Sequence, residues 1–200
     1  MFNSTLEAVN QMLTGPDSQR LISKEPEPTT LLLKLLQVLE TIFTWNFDII
    51  TILSSQYAKH VDSIETPIFQ PNMEWRDTLI NESTISFIFF LYNSVRQLGQ
   101  EALIHHSLQC LSQLSSLTGS VLANSKFRLT FVEHLMNGAL VVMNNDLAAL
   151  EVTPVSSMLY RICLHLQNRD TIQHVQKSLT HKFCEMLSQL TCKVSSTAFA

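Results

Sequence analysis

A chain of 200 residues that is 46% hydrophobic and only 15% charged has enough apolar material for one sizeable core or for several stacked helical layers. Its formal charge of −4, with Lys and Arg scattered singly, leaves no basic stripe for a phosphate backbone and argues against a nucleic-acid ligand. Four Gly are too few for a succession of tight hairpins or for a phosphate-cradling loop, so the composition selects helices.

In chain order, Phe2 to Leu13 reads as a short amphipathic helix closed by Gly15-Pro16, since proline cannot continue a helix. The stretch 14–30, which carries Glu25-Pro26-Glu27-Pro28, reads as a linker. Thr30 then caps a helix in which Leu32, Leu35, Leu36, Leu39 and Phe43 share one face, while Lys34, Gln37 and Glu40 keep it from being a membrane span. From 46 to 72 the signals suit a second loop region: 49–60 has a helical pattern, but Thr66-Pro67 and Gln70-Pro71 break the chain. Trp75 begins a turn of helix that leads into a helix over about 83–98, ended by Gly99.

Helices follow over 101–117, stopped by Gly119, and over 125–143, with Phe127, Phe131, Leu135, Gly138 and Val142 on one stripe. Thr153-Pro154 reads as the cap and first turn of a helix over 152–166. The last helix is expected over 172–192, with Ile172, Val175, Leu179, Phe183, Met186, Leu190 and Val194 at helical spacing. No alternating run long enough for a strand occurs, so the class is all-α. Helix pairs recur roughly every 40 to 50 residues, the spacing of HEAT-like repeats. The whole of 1–200 is therefore expected to be a single array segment of about three helical hairpins, an α-α superhelix.

Cys110, Cys163, Cys184 and Cys192 form no CxxC and no dense framework, which suits reduced thiols in a cytosolic or nuclear setting. The first residues lack the charged-then-apolar order of a signal peptide, and Ile85 to Tyr92 is far shorter than the roughly 20 residues a span needs, so a soluble protein with no membrane insertion is expected. Without a secretory route the sequons at Asn3-Ser4-Thr5 and Asn81-Glu82-Ser83 read as coincidental.

The stretch from His105 to Gly119, HHSLQCLSQLSSLTG, carries the most suggestive chemistry. His106 and Cys110, one turn apart, could supply two zinc ligands, but a tetrahedral site needs more and no second cluster answers them. At about 100° per residue, Leu103, Ile104, Ser107, Leu108, Cys110, Leu111 and Leu114 form a wide apolar arc, and His105, His106, Gln109, Gln113 and Ser116 fall opposite. Cys110 then reads as a small buried thiol and His106 as a surface residue. His174, His181 and Glu185 share a solvated face, and Cys163 and His165, two residues apart, point to different sides of their helix. Trp45 and Trp75 read as plugs at helix ends.

There is no GxSxG, HExxH, GxxxxGK[ST] or GxGxxG. No catalytic, cofactor-binding or metal-binding residue is assigned: the chain is expected to be no enzyme and to use no cofactor. The contrasting expectation is a helical metal-dependent enzyme built on His106 and Cys110.

Three blocks, LLKLLQVLETIFTWNF (Leu32 to Phe47), EWRDTLI (Glu74 to Ile80) and HSLQCLSQLSSLTG (His106 to Gly119), resemble the middle part of receptors in the exportin-4 branch of the importin-β superfamily, the karyopherins. VSSMLYRICLHL (Val155 to Leu166) and FCEMLSQLTC (Phe183 to Cys192) continue the resemblance more faintly, so that it covers most of Leu31 to Cys192. The resemblance implies a segment of a nuclear export receptor, a superhelical stack of HEAT repeats. Such receptors bind Ran-GTP together with protein cargo, pass the nuclear pore through phenylalanine-glycine nucleoporins, and shuttle between nucleus and cytoplasm. A general HEAT-repeat scaffold, or another exportin branch, is the neighbouring reading. The main Ran contacts of such receptors lie in amino-terminal repeats to which no residue of this chain corresponds.

Overall fold

The computed structural model describes residues 2–44 and 69–198, and every regular element among them is helical. In order these are α1 (Phe2–Thr14), α2 (Asp17–Ile22), α3 (Pro26–Thr44), a 3-10 turn (Met73–Trp75), α4 (Arg76–Leu79), α5 (Glu82–Leu98), α6 (Glu101–Ser115), a second 3-10 turn (Ser120–Leu122), α7 (Ser125–Met143), α8 (Ala149–Leu166), α9 (Arg169–His174) and α10 (Lys177–Ala198). No helix of the described residues is long and apolar enough to cross a membrane.

Local chemistry sets several of these ends. The Asn81 side chain accepts from Ser83 N at 2.9 Å and that of Asn124 accepts from Lys126 N at 2.9 Å, each satisfying a donor that the first turn leaves open. Gly99, at φ 64°, takes the left-handed conformation that ends α5.

The helices lie in two layers. In one, α1 packs on α5, α5 on α7, and α7 on α10; in the other, α3 packs on α6 and α6 on α8. The layers are joined by α1 against α3, α5 against α6, and α7 against α8. Helix α6 thus has neighbours on three sides, which is why every residue from 110 to 117 is buried although the sequence there alternates Leu with Ser and Gln. Helix α5 approaches α7 closely at Gly138, where an added Cβ would lie 2.2 Å from the Phe89 ring.

Three sequence expectations are corrected. The 14–30 stretch is no simple linker: it contains α2 and the first turn of α3. Pro16 and Pro26 stand at helix starts, where a missing N–H costs nothing, and therefore permit helices instead of preventing them. Arg20 ties this stretch together, with Nε donating to Glu25 at 2.8 Å, Nη1 to Asp17 at 3.0 Å and Nη2 to Glu27 at 3.1 Å. Thr30 is not a cap, because its hydroxyl donates back to Pro26 O at 2.6 Å inside the helix.

The second correction is at α8, which starts before Thr153-Pro154. Glu151 Oε2 accepts the Ala148 N–H at 2.7 Å, so the acid three residues into the helix closes its first turn and Pro154 falls inside. The third is the last helix, which is two: α9 ends at His174 and α10 begins at Lys177. The break turns Val175 into the core at 3% exposure and leaves Ile172 outside at 51%, so Ile172 does not belong to the stripe that Phe183 anchors. The helical pattern at 49–60 and most of the 46–72 loop region lie outside the described residues; 69–72, which are described, form no helix.

Candidate functional site

His106 and Cys110 do not converge. His106 Nδ1 lies 2.5 Å from Glu40 Oε2 and its Nε2 3.4 Å from Gln37 Nε2, both on α3. Cys110 points inward, with Sγ 3.9 Å from Leu36 O. Burial first, and the nearby Glu40 charge second, hold the Cys110 thiol far above its usual range. Among the described residues, no three His, Cys, Asp or Glu side chains are placed to hold a metal ion. His105, exposed, packs edge-on to His106 at 5.5 Å between ring centroids. The expected surface role of His106 is corrected in part: its side chain is 22% exposed and is the polar clasp on the rim of the α3–α6 seam.

Gln113 and Ser116, expected opposite the apolar arc, are buried because α6 is interior. Such a helix tolerates serine because a short hydroxyl can return its hydrogen bond to the same helix and leaves room for close neighbours. Ser107 donates to Ile104 O at 2.8 Å, Ser115 to Leu111 O at 2.8 Å and Ser116 to Gln113 O at 2.7 Å. Ser112 and Ser157 meet across the α6–α8 seam at 3.2 Å.

The buried carbonyl end of α6 is satisfied from outside. His165 Nε2 is 3.0 Å from Ser115 O, with Phe131 edge-on to its ring at 5.7 Å. Phe69 N donates to Ser116 Oγ at 3.1 Å, and Thr118 N donates to Phe69 O at 3.0 Å. Burial pushes the His165 pKa below its ordinary value and the Arg128 charge adds to this, while the bond to Ser115 opposes it. His165 is therefore a neutral donor near pH 7.

The principal buried charge is Glu151 on α8, 1% exposed, which composition and spacing did not single out. Tyr92 Oη donates to its Oε1 at 2.7 Å, Arg96 Nε donates to the same oxygen at 3.0 Å, and its other oxygen takes the Ala148 N–H. Arg96 also donates to Asp146 O. Burial and this carboxylate raise the Tyr92 pKa, so the phenol remains a donor. The only local signal was the position of Glu151 in the first turn of a helix; its partners are 55 and 59 residues away in sequence.

Cys163 and His165 stay apart as expected: Cys163 lines an open groove between α8 and α10, while His165 faces α6. His174, on α9, and His181 and Glu185, on α10, are exposed. Trp75 packs on Phe2 with ring centroids 5.8 Å apart, as a plug between helices; Trp45 lies outside the described residues. Glu40 with His106, Ser112 with Ser157, His165 with Ser115 O, and Tyr92 and Arg96 with Glu151 each hold one helix to another, and the surface between helices carries open grooves such as the one lined by Leu159, Tyr160 and Leu187. This arrangement suits surface complementarity. No family model matches the chain.

Proposed function

We propose that the chain is a segment of an exportin-4-like nuclear export receptor, its helix pairs stacked as HEAT-type repeats of an α-α superhelix. In this reading the receptor that contains it binds Ran-GTP and protein cargo and crosses the pore on phenylalanine-glycine nucleoporins. The observation that carries the proposal is the order of packing: α1 with α3, α5 with α6 and α7 with α8 pair in sequence, and successive pairs lie side by side in the same two layers. Each pair buries its apolar face only against its neighbours, the condition that makes a repeat array.

Coupling between Ran and cargo then works by bending across many modest interfaces in place of one rigid core. Polar joints such as Glu40–His106 and Ser112–Ser157 sit at those interfaces. The resemblance at Leu32 to Phe47, Glu74 to Ile80 and His106 to Gly119 supports the export branch in particular.

The test is retention of the purified chain on immobilised phenylalanine-glycine-repeat polypeptide, with serine-for-phenylalanine repeats as control. Binding of the receptor containing the chain to Ran loaded with GTP or GDP is measured beside it. Retention on the native repeats alone and a GTP-dependent Ran complex are expected. Equal retention on both repeat types, with no nucleotide preference, refutes the reading.

A further inference from the structure

We propose that Cys163 on α8 and Cys184 on α10 are a redox pair, two thiols that a low-molecular-weight disulfide such as oxidised glutathione converts into a bond clasping one helix to the other. Both belong to this chain, so the inference rests neither on the export-receptor reading nor on anything seated over the groove between the two helices. Both are free thiols, Cys184 exposed and Cys163 half-buried.

The register of α8 and α10 brings them together. Residues 167–176 join the two helices, most of them in α9, which packs on both α7 and α8. So short a connection turns the chain back, and α10 runs antiparallel to α8. The groove between them is lined by Ser156, Tyr160 and Cys163 on one wall and by Thr191 and Leu187 on the other. Ser156 and Thr191 lie at the far end of the groove. From Ser156 to Cys163 and from Thr191 back to Cys184 are equal steps along the two helices, about 10 Å each. Cys184 is one turn from Leu187 and about two from Thr191, and therefore shares their stripe. The electrostatics agree with this placement: burial first, and the charge of Cys184 second, push the Cys163 thiol above its ordinary range.

Exposure sets the order of events. The Cys184 thiolate attacks the small disulfide, forming a mixed disulfide and releasing one glutathione thiolate. The Cys163 thiol then gives its proton to water and its sulfur attacks that of Cys184, so the second glutathione leaves as a thiolate. One protein disulfide forms, and two electrons pass from the protein to the oxidant. The Cα atoms of a disulfide stand roughly 5.5–6 Å apart, so the bond draws the two walls together and narrows the groove.

The test treats the folded chain, in a Cys192→Ser background that isolates the pair, with oxidised glutathione. Remaining thiols are alkylated, and peptides are mapped by mass spectrometry after digestion with trypsin. A peptide joining Cys163 to Cys184 within the monomer is expected, and reduction should remove it. Adding Cys163→Ser should make the glutathione adduct at Cys184 persist about tenfold longer, because nothing resolves it. Adding Cys184→Ser instead should slow adduct formation at Cys163 about tenfold relative to that at Cys184. Unchanged melting temperatures of the reduced variants verify folding. A glutathione adduct that persists at Cys184 with Cys163 present overturns the proposal. So do a link between two copies through Cys184, and equal adduct rates at the two cysteines.

Discussion

Replacing Gly138 with alanine sets two calculable effects against each other. In an exposed helix the change removes glycine's conformational cost and stabilises by about 1 kcal/mol. Here the new methyl would lie 2.2 Å from Cδ2 and Cε2 of Phe89 and 2.6 Å from its Cγ. Ordinary carbon contacts are about 3.5–4.0 Å, so ring and helix must separate by more than about 1 Å. Phe89 is 4% exposed, and moving its ring toward the open groove that it lines with Gly138 gives up buried packing. Overpacking of this size costs about 3 kcal/mol, the upper end of its usual range. The net expectation is a loss of about 2 kcal/mol, or a melting temperature lower by about 4–8 °C for a chain of this length. Thermal and urea melts followed by circular dichroism measure it. In a Phe89→Leu background the ring is gone, and Gly138→Ala should become neutral or stabilising, a coupling of about 2–3 kcal/mol in the double-mutant cycle. A Gly138→Ala protein that melts higher than wild type would show that propensity wins and that the α5–α7 approach is not as tight as described.

Glu151→Ala removes the shared acceptor of Tyr92 and Arg96. Because Arg96 retains partial solvent at 30% side-chain exposure, the loss should be about 3 kcal/mol in urea denaturation, with Glu151→Gln losing less. His165 has its folded-state pKa depressed below 6.5, so the unfolded chain binds the proton more readily. Its stability contribution is complete above about pH 6.5 and declines as pH falls from there toward the folded-state value. His165→Gln should shrink the drop in melting temperature between pH 7.5 and pH 5.5, and an unchanged drop would place the acid sensitivity elsewhere. Leu111→Asp buries an unpaired carboxylate at a fully buried site and should cost on the order of 5 kcal/mol or more. His106→Ala, which loses only a rim clasp, should cost about 1 kcal/mol; equal losses for these two would contradict the assigned faces of α6.

Helix class and most boundaries were legible because the chain carries its own punctuation. The 125–143 helix agrees with α7 at both ends and the 83–98 helix agrees with α5 to one residue, each framed by an Asn cap or a Gly stop. Prolines misled where their role depends on position in a turn: Pro16 and Pro26 begin helices, and Pro154 lies within one that Glu151 had already started. The break after His174 was hidden for a related reason, since the helical periodicity of Ile172 and Val175 is intact and only packing decides that Val175 turns in while Ile172 stays out.

Local sequence therefore determined that the chain is helical, where most helices stop, and that Cys110 and Leu111 face inward. Tertiary structure alone decided that α6 is surrounded, so that Gln113 and Ser116 are interior, that His106 reaches Glu40, and that Glu151 gathers Tyr92 and Arg96. The physical reason is range. Caps and amphipathic stripes act within a turn or two of the backbone, whereas the number of neighbours around a helix, and the partner of a buried charge, depend on segments 50 or more residues away.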